Sequence, residues 1–217
     1  AFRLLKSEQL KDTTVELYKK SVRIGLVVAL LGSISVMGVG DLQMKALIHD
    51  QPMKFAAMEG DYEDSGDPAA WSVVAWANEA EHKQVFGIKI PYMLSILSYG
   101  KPSGSVKGMD TANKELVAKY GKDNYYPMVN LLFYGFRTMA AMGTAIMGVS
   151  VLGLFLTRKK KPILYKHKWM LWIVALTTFA PFLANTFGWI VTEQGRYPWT
   201  VYGLFKIKYS VSPNVSV

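Results

Sequence analysis

The chain has 217 residues, 51% of them apolar, with no cysteine and a formal charge of +9. Without cysteine there is no disulfide framework and no thiolate metal or iron–sulfur site. The basic residues flank apolar runs and form no groove-like patch, which sets nucleic-acid binding aside. The sequence opens on Ala1, Phe2 and Arg3, with neither an initiating Met nor a signal peptide. It is therefore expected to begin partway through a larger or processed protein.

Residues 1–40 read as a cytoplasmic lead-in followed by a first transmembrane helix. The stretch 24–40, IGLVVALLGSISVMGVG, carries no charge. It is short for a span, but the helix can extend backwards while Lys19, Lys20 and Arg23 snorkel. Gly25, Gly32, Ser33 and Ser35 are expected to favour close helix packing. Residues 41–126 change character, with nine Lys, twelve Asp or Glu and a net charge of −3. Turn signals recur there at QP, SGDP, KPSG and YGKD. The apolar patch VFGIKIPYMLSILSYG is broken by Pro91 and reads as surface-lying helix or strand. The whole segment is expected to be a large extramembrane loop with some structure of its own.

Residues 127–157 form a second apolar run, in which Arg137 is the ionisable side chain of note. The basic loop 158–168 follows, with six Lys or Arg and no acid. A third span covers 169–199, with Pro181 as an internal kink and Thr178, Asn185 and Thr186 as polar packing groups. Residues 200–217 read as an interfacial tail leading towards a further helix. The fold class is thus all-α, an integral membrane bundle segment of about three transmembrane helices. The charge excess of the short loops puts the N-terminus and 158–168 in the cytoplasm and 41–126 outside.

The candidates for chemistry are few. Arg137 inside a span calls for an acidic partner, or forms a structural ion pair between helices. Met139 lies about 200° round the helix from it, so the two do not share a face. In the stretch 188–199, GWIVTEQGRYPW, Glu193 lies one turn beyond Trp189, and Arg196 is near enough to pair with it. Its functional reading is a metal ligand or a proton-relay carboxylate. Pro198 ends the helix and Trp199 suits the membrane interface. In QPMKFAAMEGDYE, Lys54 and Glu59 lie five residues apart in the loop. His49, His82 and His167 lie in loops or at their borders, so no imidazole sits mid-span. No phosphate loop, dinucleotide fingerprint, metalloprotease helix or nucleophile elbow occurs.

These residues resemble a family. GWIVTEQGRYPW is similar to the GWxxxExGRQPW segment of subunit I of the cytochrome bd-type quinol oxidases. GFRTMAAMG resembles that family's FRxM helix, and GDLQ with QPMKFAAMEGDYE resembles the start of its external quinol-binding loop, here of the short type. IKIPYMLS fits a later part of that loop, and GLFKIKYSVSPNVS the lead-in to the last helix. The resemblance implies a respiratory-chain oxidoreductase of the bacterial cytoplasmic membrane, with 41–126 extracytoplasmic. Such an enzyme oxidises quinol at the outer face and reduces dioxygen to water.

By position, the resemblance implies Met139 as an axial ligand of the low-spin haem b iron, with Arg137 compensating charge beside it. It implies Lys54 and Glu59 at the quinol site, the glutamate accepting a proton. Glu193 would serve the high-spin haem b iron, Trp189 would lie between haems, and Arg196 and Trp199 would hold the haem cluster. Haem d completes the cofactors. Expected partners are the N-terminal half of subunit I, in the same or a separate chain, subunit II, small single-helix subunits and membrane lipid. The family's haem-ligating histidines fall before residue 1, so the chain is expected to be a C-terminal half or one part of a divided subunit. Tyr197 stands where the family pattern has Gln, which leaves any contact of that amide in doubt. The rival readings are a transporter or channel segment with Arg137 and Glu193 lining an ion path, and a non-catalytic packing subunit.

Overall fold

The computed structural model of the chain describes residues 1–9, 11–158 and 163–210. It is mainly helical, and three of its helices are long and apolar enough to cross a membrane. The first, α1 (Asp12–Asp50), absorbs the uncharged run and continues at both ends, which removes the shortness of 24–40. After it come α2 (Pro52–Glu59), β1 (Trp71–Asn78), β2 (Lys83–Ile90), α3 (Met93–Tyr99) and α4 (Met109–Tyr120). The second long helix is α5 (Val129–Leu156). The third apolar stretch is divided into α6 (Lys168–Leu176) and α7 (Ala180–Gly195) by a 3-10 turn at Thr177–Phe179. Strands β3 (Trp199–Val201) and β4 (Phe205–Lys206) follow, and a 3-10 turn at Ile207–Tyr209 closes the described chain. The basic residues 159–161 and the tail after residue 210 lie outside the described residues.

The break before α7 has a chemical cause. Pro181 has no N–H to offer the carbonyl of Thr177 four residues back. Instead the Ala180 N–H bonds that carbonyl in the tighter 3-10 manner. The Thr177 hydroxyl donates back to Ile173 O at 2.7 Å. The kink expected at Pro181 is thus present as a 3-10 turn.

The molecule divides into two compact units. The first comprises Ala1–Gly40 and Thr138–Thr186. Its buried cluster gathers Leu4, Val22, Leu26, Leu164 and Leu171. The small residue that admits a neighbouring helix is Gly153 of α5, where a Cβ would stand 2.8 Å from Leu26 Cδ1 of α1. The close packing expected at Gly25, Gly32, Ser33 and Ser35 is not found among the described residues. Gly25 and Gly32 face open space. Ser33 and Ser35 donate to the carbonyls of Ala29 and Leu31 on their own helix.

The second unit comprises Asp41–Arg137 and Phe187–Val217. Short α2 lies at its centre, and Met53, Phe55, Ala56, Ala57, Met58 and Glu59 are all buried. A helix apolar nearly all round has to be enclosed on every side. Pro52 opens it at a position where the missing N–H costs nothing. Gly60 closes it in the left-handed conformation, its N–H returning to Ala56 and Ala57 carbonyls. Strands β1 and β2 form an antiparallel hairpin pairing Trp71 with Ile90 and Asn78 with Lys83. The patch read as surface helix or strand is both, strand up to Ile90 and helix from Met93.

The irregular stretch between α2 and β1 is clamped by short side chains. Asp64 accepts the Gly108 N–H at 2.7 Å, Ser65 that of Val106 at 2.6 Å, and Asp67 that of Gly104 at 2.6 Å. Ser95 accepts the Ala69 N–H and donates to Gly104 O, both at 2.7 Å. Side chains thereby satisfy backbone groups that no strand or helix reaches.

Candidate functional site

The one buried carboxyl among the described residues is Glu59, the last residue of α2, which is 3% exposed. Its Oε2 accepts from Nη2 of Arg137 on α5 at 3.1 Å. The same guanidinium donates to Met58 O at 2.7 Å, to Ser72 O at 3.1 Å and to Val73 O at 3.2 Å. It also reaches Phe133 O at 3.4 Å, and a further, very short bond runs from Nη2 to Ser72 O. The Phe133 ring lies 3.4 Å from the guanidinium carbon and Trp71 at 5.5 Å. A planar fork of five donors is the group able to tie a helix end, a strand and a carboxylate together in this way.

Electrostatics at Glu59 is a contest between burial and this partner. Desolvation pushes its carboxyl up to about 7, against the pull of Arg137 and of hydrogen bonds from Arg137 and Trp71. Asp61, two residues on, adds repulsion and is itself raised by burial, while Lys89 holds it down from 3.0 Å. A carboxyl poised near neutrality with its partner fixed is suited to accept and return a proton.

Lys54 is five positions before Glu59 on α2, about 140° away round the axis. The structure accordingly separates them. The Lys54 stem crosses Gly195 of α7 so closely that a Cβ there would be 2.7 Å from Lys54 Cγ and Cε. Burial and Arg196 lower the Lys54 ammonium from its ordinary range, and Glu193 opposes them. Glu193 itself pairs with Arg196 in a very short contact, both side chains partly exposed. Lys54, Glu193 and Arg196 therefore form a second charged group, while Glu59 and Arg137 form the first.

The remaining expected site residues are distributed as follows. Trp189 is 67% exposed on α7. Met139 lies partly exposed on α5, in the first unit. Trp199 was expected at the membrane interface; it is 3% exposed within the core of the second unit. There it packs edge-on to Tyr120 at 4.8 Å and near Tyr125 and Tyr202, with Lys206 Nζ above its ring at 5.4 Å. Its Nε1–H is buried and meets no acceptor among the described residues. Tyr197, in place of the family's Gln, is exposed. His49 lies in the last turn of α1, His167 precedes α6, and His82 turns the hairpin, stacked on Tyr126 at 4.1 Å.

Sequence reasoning did not foresee the Glu59–Arg137 pair. The two residues are 78 positions apart, and no local pattern couples them. The available signal was the buried arginine's need for an acid, with the acid left unnamed. Arg137 and Glu193, the residues of the rival ion-path reading, close on separate partners.

The family model described as cytochrome bd terminal oxidase subunit I matches residues 1–217. The chain is 46% identical over 217 residues to cytochrome bd ubiquinol oxidase subunit 1 of Bacillus subtilis, covering 100% of this chain and 45% of that protein. It is 26% identical over 238 residues to cytochrome bd-II ubiquinol oxidase subunit 1 of Escherichia coli, covering 84% and 46%. The solved bd oxidase of Geobacillus thermodenitrificans aligns with a TM-score of 0.71 at 25% identity, covering 86% of this chain and 40% of that one. The chain thus spans less than half the length of these relatives.

Proposed function

Because this chain belongs to the family of cytochrome bd terminal oxidase subunit I, we propose that it forms part of a respiratory terminal oxidase. The oxidase takes electrons from quinol at the outer face of the bacterial cytoplasmic membrane and reduces dioxygen to water. The observation that carries this reading is Glu59, a buried carboxyl near neutrality, fixed by Arg137 in the segment where the family resemblance puts the quinol loop. In this reading Glu59, as carboxylate, accepts a proton from a quinol hydroxyl as electrons leave. Arg137 holds the carboxylate in place and limits the cost of its charge. Lys54, on the other side of α2, donates a hydrogen bond towards the substrate or towards the 188–199 segment.

The chemistry of the donors fits haem. A thioether at Met139 and a carboxylate at Glu193 are both competent iron ligands, and the unpaired Trp199 Nε1–H calls for an anionic or carbonyl acceptor. Met139 would hold the low-spin haem b and Glu193 the high-spin haem b. Arg137 would add positive charge near the former, and Arg196 with Trp199 would bind acidic groups of the haem cluster. Trp189, exposed on α7, would pack between haems. When bound, low-spin haem b, high-spin haem b and haem d carry the electrons to dioxygen. Imidazole ligands would come from the N-terminal half of subunit I; subunit II, small single-helix subunits and lipid complete the assembly. The basic short loops support an outer location for 41–126.

A visible spectrum of the purified complex tests the proposal, with haem b bands and a red-shifted haem d band as the expected result. The variant Met139→Leu should alter the low-spin haem b signal selectively. A colourless complex would overturn the oxidase reading, and an unchanged reduced-minus-oxidised spectrum would remove Met139 from the ligand set.

A further inference from the structure

Beside the clamped turn after α2 lies a cavity of about 430 Å³, lined among others by Asp61, Tyr62, Glu63, His82, Lys83 and Lys89. Asp61 lines this space two residues beyond Glu59 of the buried pair. It follows Glu59 across the left-handed Gly60, and its Oδ1 accepts from Lys89 Nζ at 3.0 Å. Exposure rises in order along the side chains, from 4% at Glu59 to 12% at Asp61 and 41% at Lys89. Arg137 attracts both carboxylates, and the two carboxylates repel one another. Two acids that sense each other and share a cation, one sealed and one at the wall of a polar cavity, have the arrangement of a proton relay.

We propose that Asp61 receives the proton Glu59 has accepted and passes it to water in this cavity, making Asp61 and Lys89 the exit of the quinol site. The proposal rests on the quinol reading of Glu59. The step is proton transfer alone. The Glu59 O–H bond breaks as an Asp61 O–H bond forms, directly or over one water, restoring the Glu59 carboxylate. The proton then passes from Asp61 to water, which restores the Asp61 carboxylate, and no electron moves in either transfer. Lys89 keeps Asp61 ionised between transfers and turns it towards the opening. The charged groups around Asp61 are Lys89 on β2, Arg137 on α5 and Glu59 at the end of α2, with Glu63, Asp64, His82 and Lys83 around the cavity. From α4 the Met109 N–H donates to Asp61 O at 3.1 Å, and Asp110 follows it.

The test uses the assembled oxidase with quinol as donor, assembly being judged by its visible spectrum. Asp61→Asn should lower kcat about 10²-fold with KM within about twofold, the low end of what loss of a proton-transfer group costs. Asp61→Glu should restore most of the rate, which a merely structural loss would not permit. Lys89→Met, on an exposed strand, should move the acid limb of the kcat profile up by about one pH unit. The sign follows because Asp61 must be ionised to accept, and losing its cation raises the pH at which it ionises. Wild-type kcat and pH profile in assembled Asp61→Asn would overturn the relay. Should that variant not assemble, an unmoved profile in Lys89→Met overturns it equally. Glu59→Gln is measured alongside: if it slows turnover while Asp61→Asn does not, only the relay fails. If neither slows turnover, the quinol reading fails as well.

Discussion

A carboxyl as enclosed as Glu59 depends on the one cation that reaches it among the described residues, so Glu59 and Arg137 have to be considered together. Glu59 must be ionised to accept a proton, and burial pushes its carboxyl up to about 7. Quinol kcat/KM should therefore fall on the acid side of neutrality, approaching tenfold per pH unit once the carboxyl is mostly protonated. Glu59→Gln should lower quinol oxidation by about 10²-fold and flatten that limb. Artificial donors that bypass the quinol site should still be oxidised; equal slowing with both donors would refute the assignment. Removing the partner is a separate test. Arg137→Leu strands the Glu59 carboxylate and four backbone carbonyls, and should cost about 3–5 kcal/mol in thermal or denaturant unfolding of the complex. Arg137→Lys should recover only part of this, because one ammonium does not reproduce the planar fork. A full recovery would mean that charge alone matters there.

At the level of elements, α2 is an eight-residue helix with different tasks on different sides. One side delivers Glu59 to α5, and another lays the Lys54 stem over the end of α7. Gly195 is what permits the second contact. Gly195→Ala should displace Lys54 and destabilise the complex by about 1–3 kcal/mol, as overpacking does. In a Lys54→Ala background the same change should cost much less, and a thermal-unfolding double-mutant cycle would show the difference. Additive effects would mean that the close approach is immaterial. Spacing alone says that Lys54 and Glu59 diverge, since five residues place them about 140° apart. Which neighbours each one meets was not legible. The hairpin was equally hard to foresee on its β1 side, because burial along Trp71–Asn78 does not alternate cleanly and two register shifts interrupt the pairing.

For the whole molecule, orientation can be tested directly because the chain has no cysteine of its own. A single thiol introduced by Lys122→Cys should react with a membrane-impermeant maleimide on intact cells, and one introduced by Lys166→Cys only after permeabilisation. The reverse pattern would invert the topology drawn from the positive-inside bias. The amino-acid sequence by itself determined the three apolar helices, the break at Pro181 and the charged character of 41–126. Those features follow from local length, composition and proline chemistry, each readable within one helix or loop. Only the tertiary structure decided that Arg137 closes on Glu59, that Lys54 lies over Gly195 and that Trp199 is buried among tyrosines. Each of these joins segments far apart in the chain. Burial then forces every charge and polar group to find whatever partner the fold brings near, and no residue spacing encodes that partner.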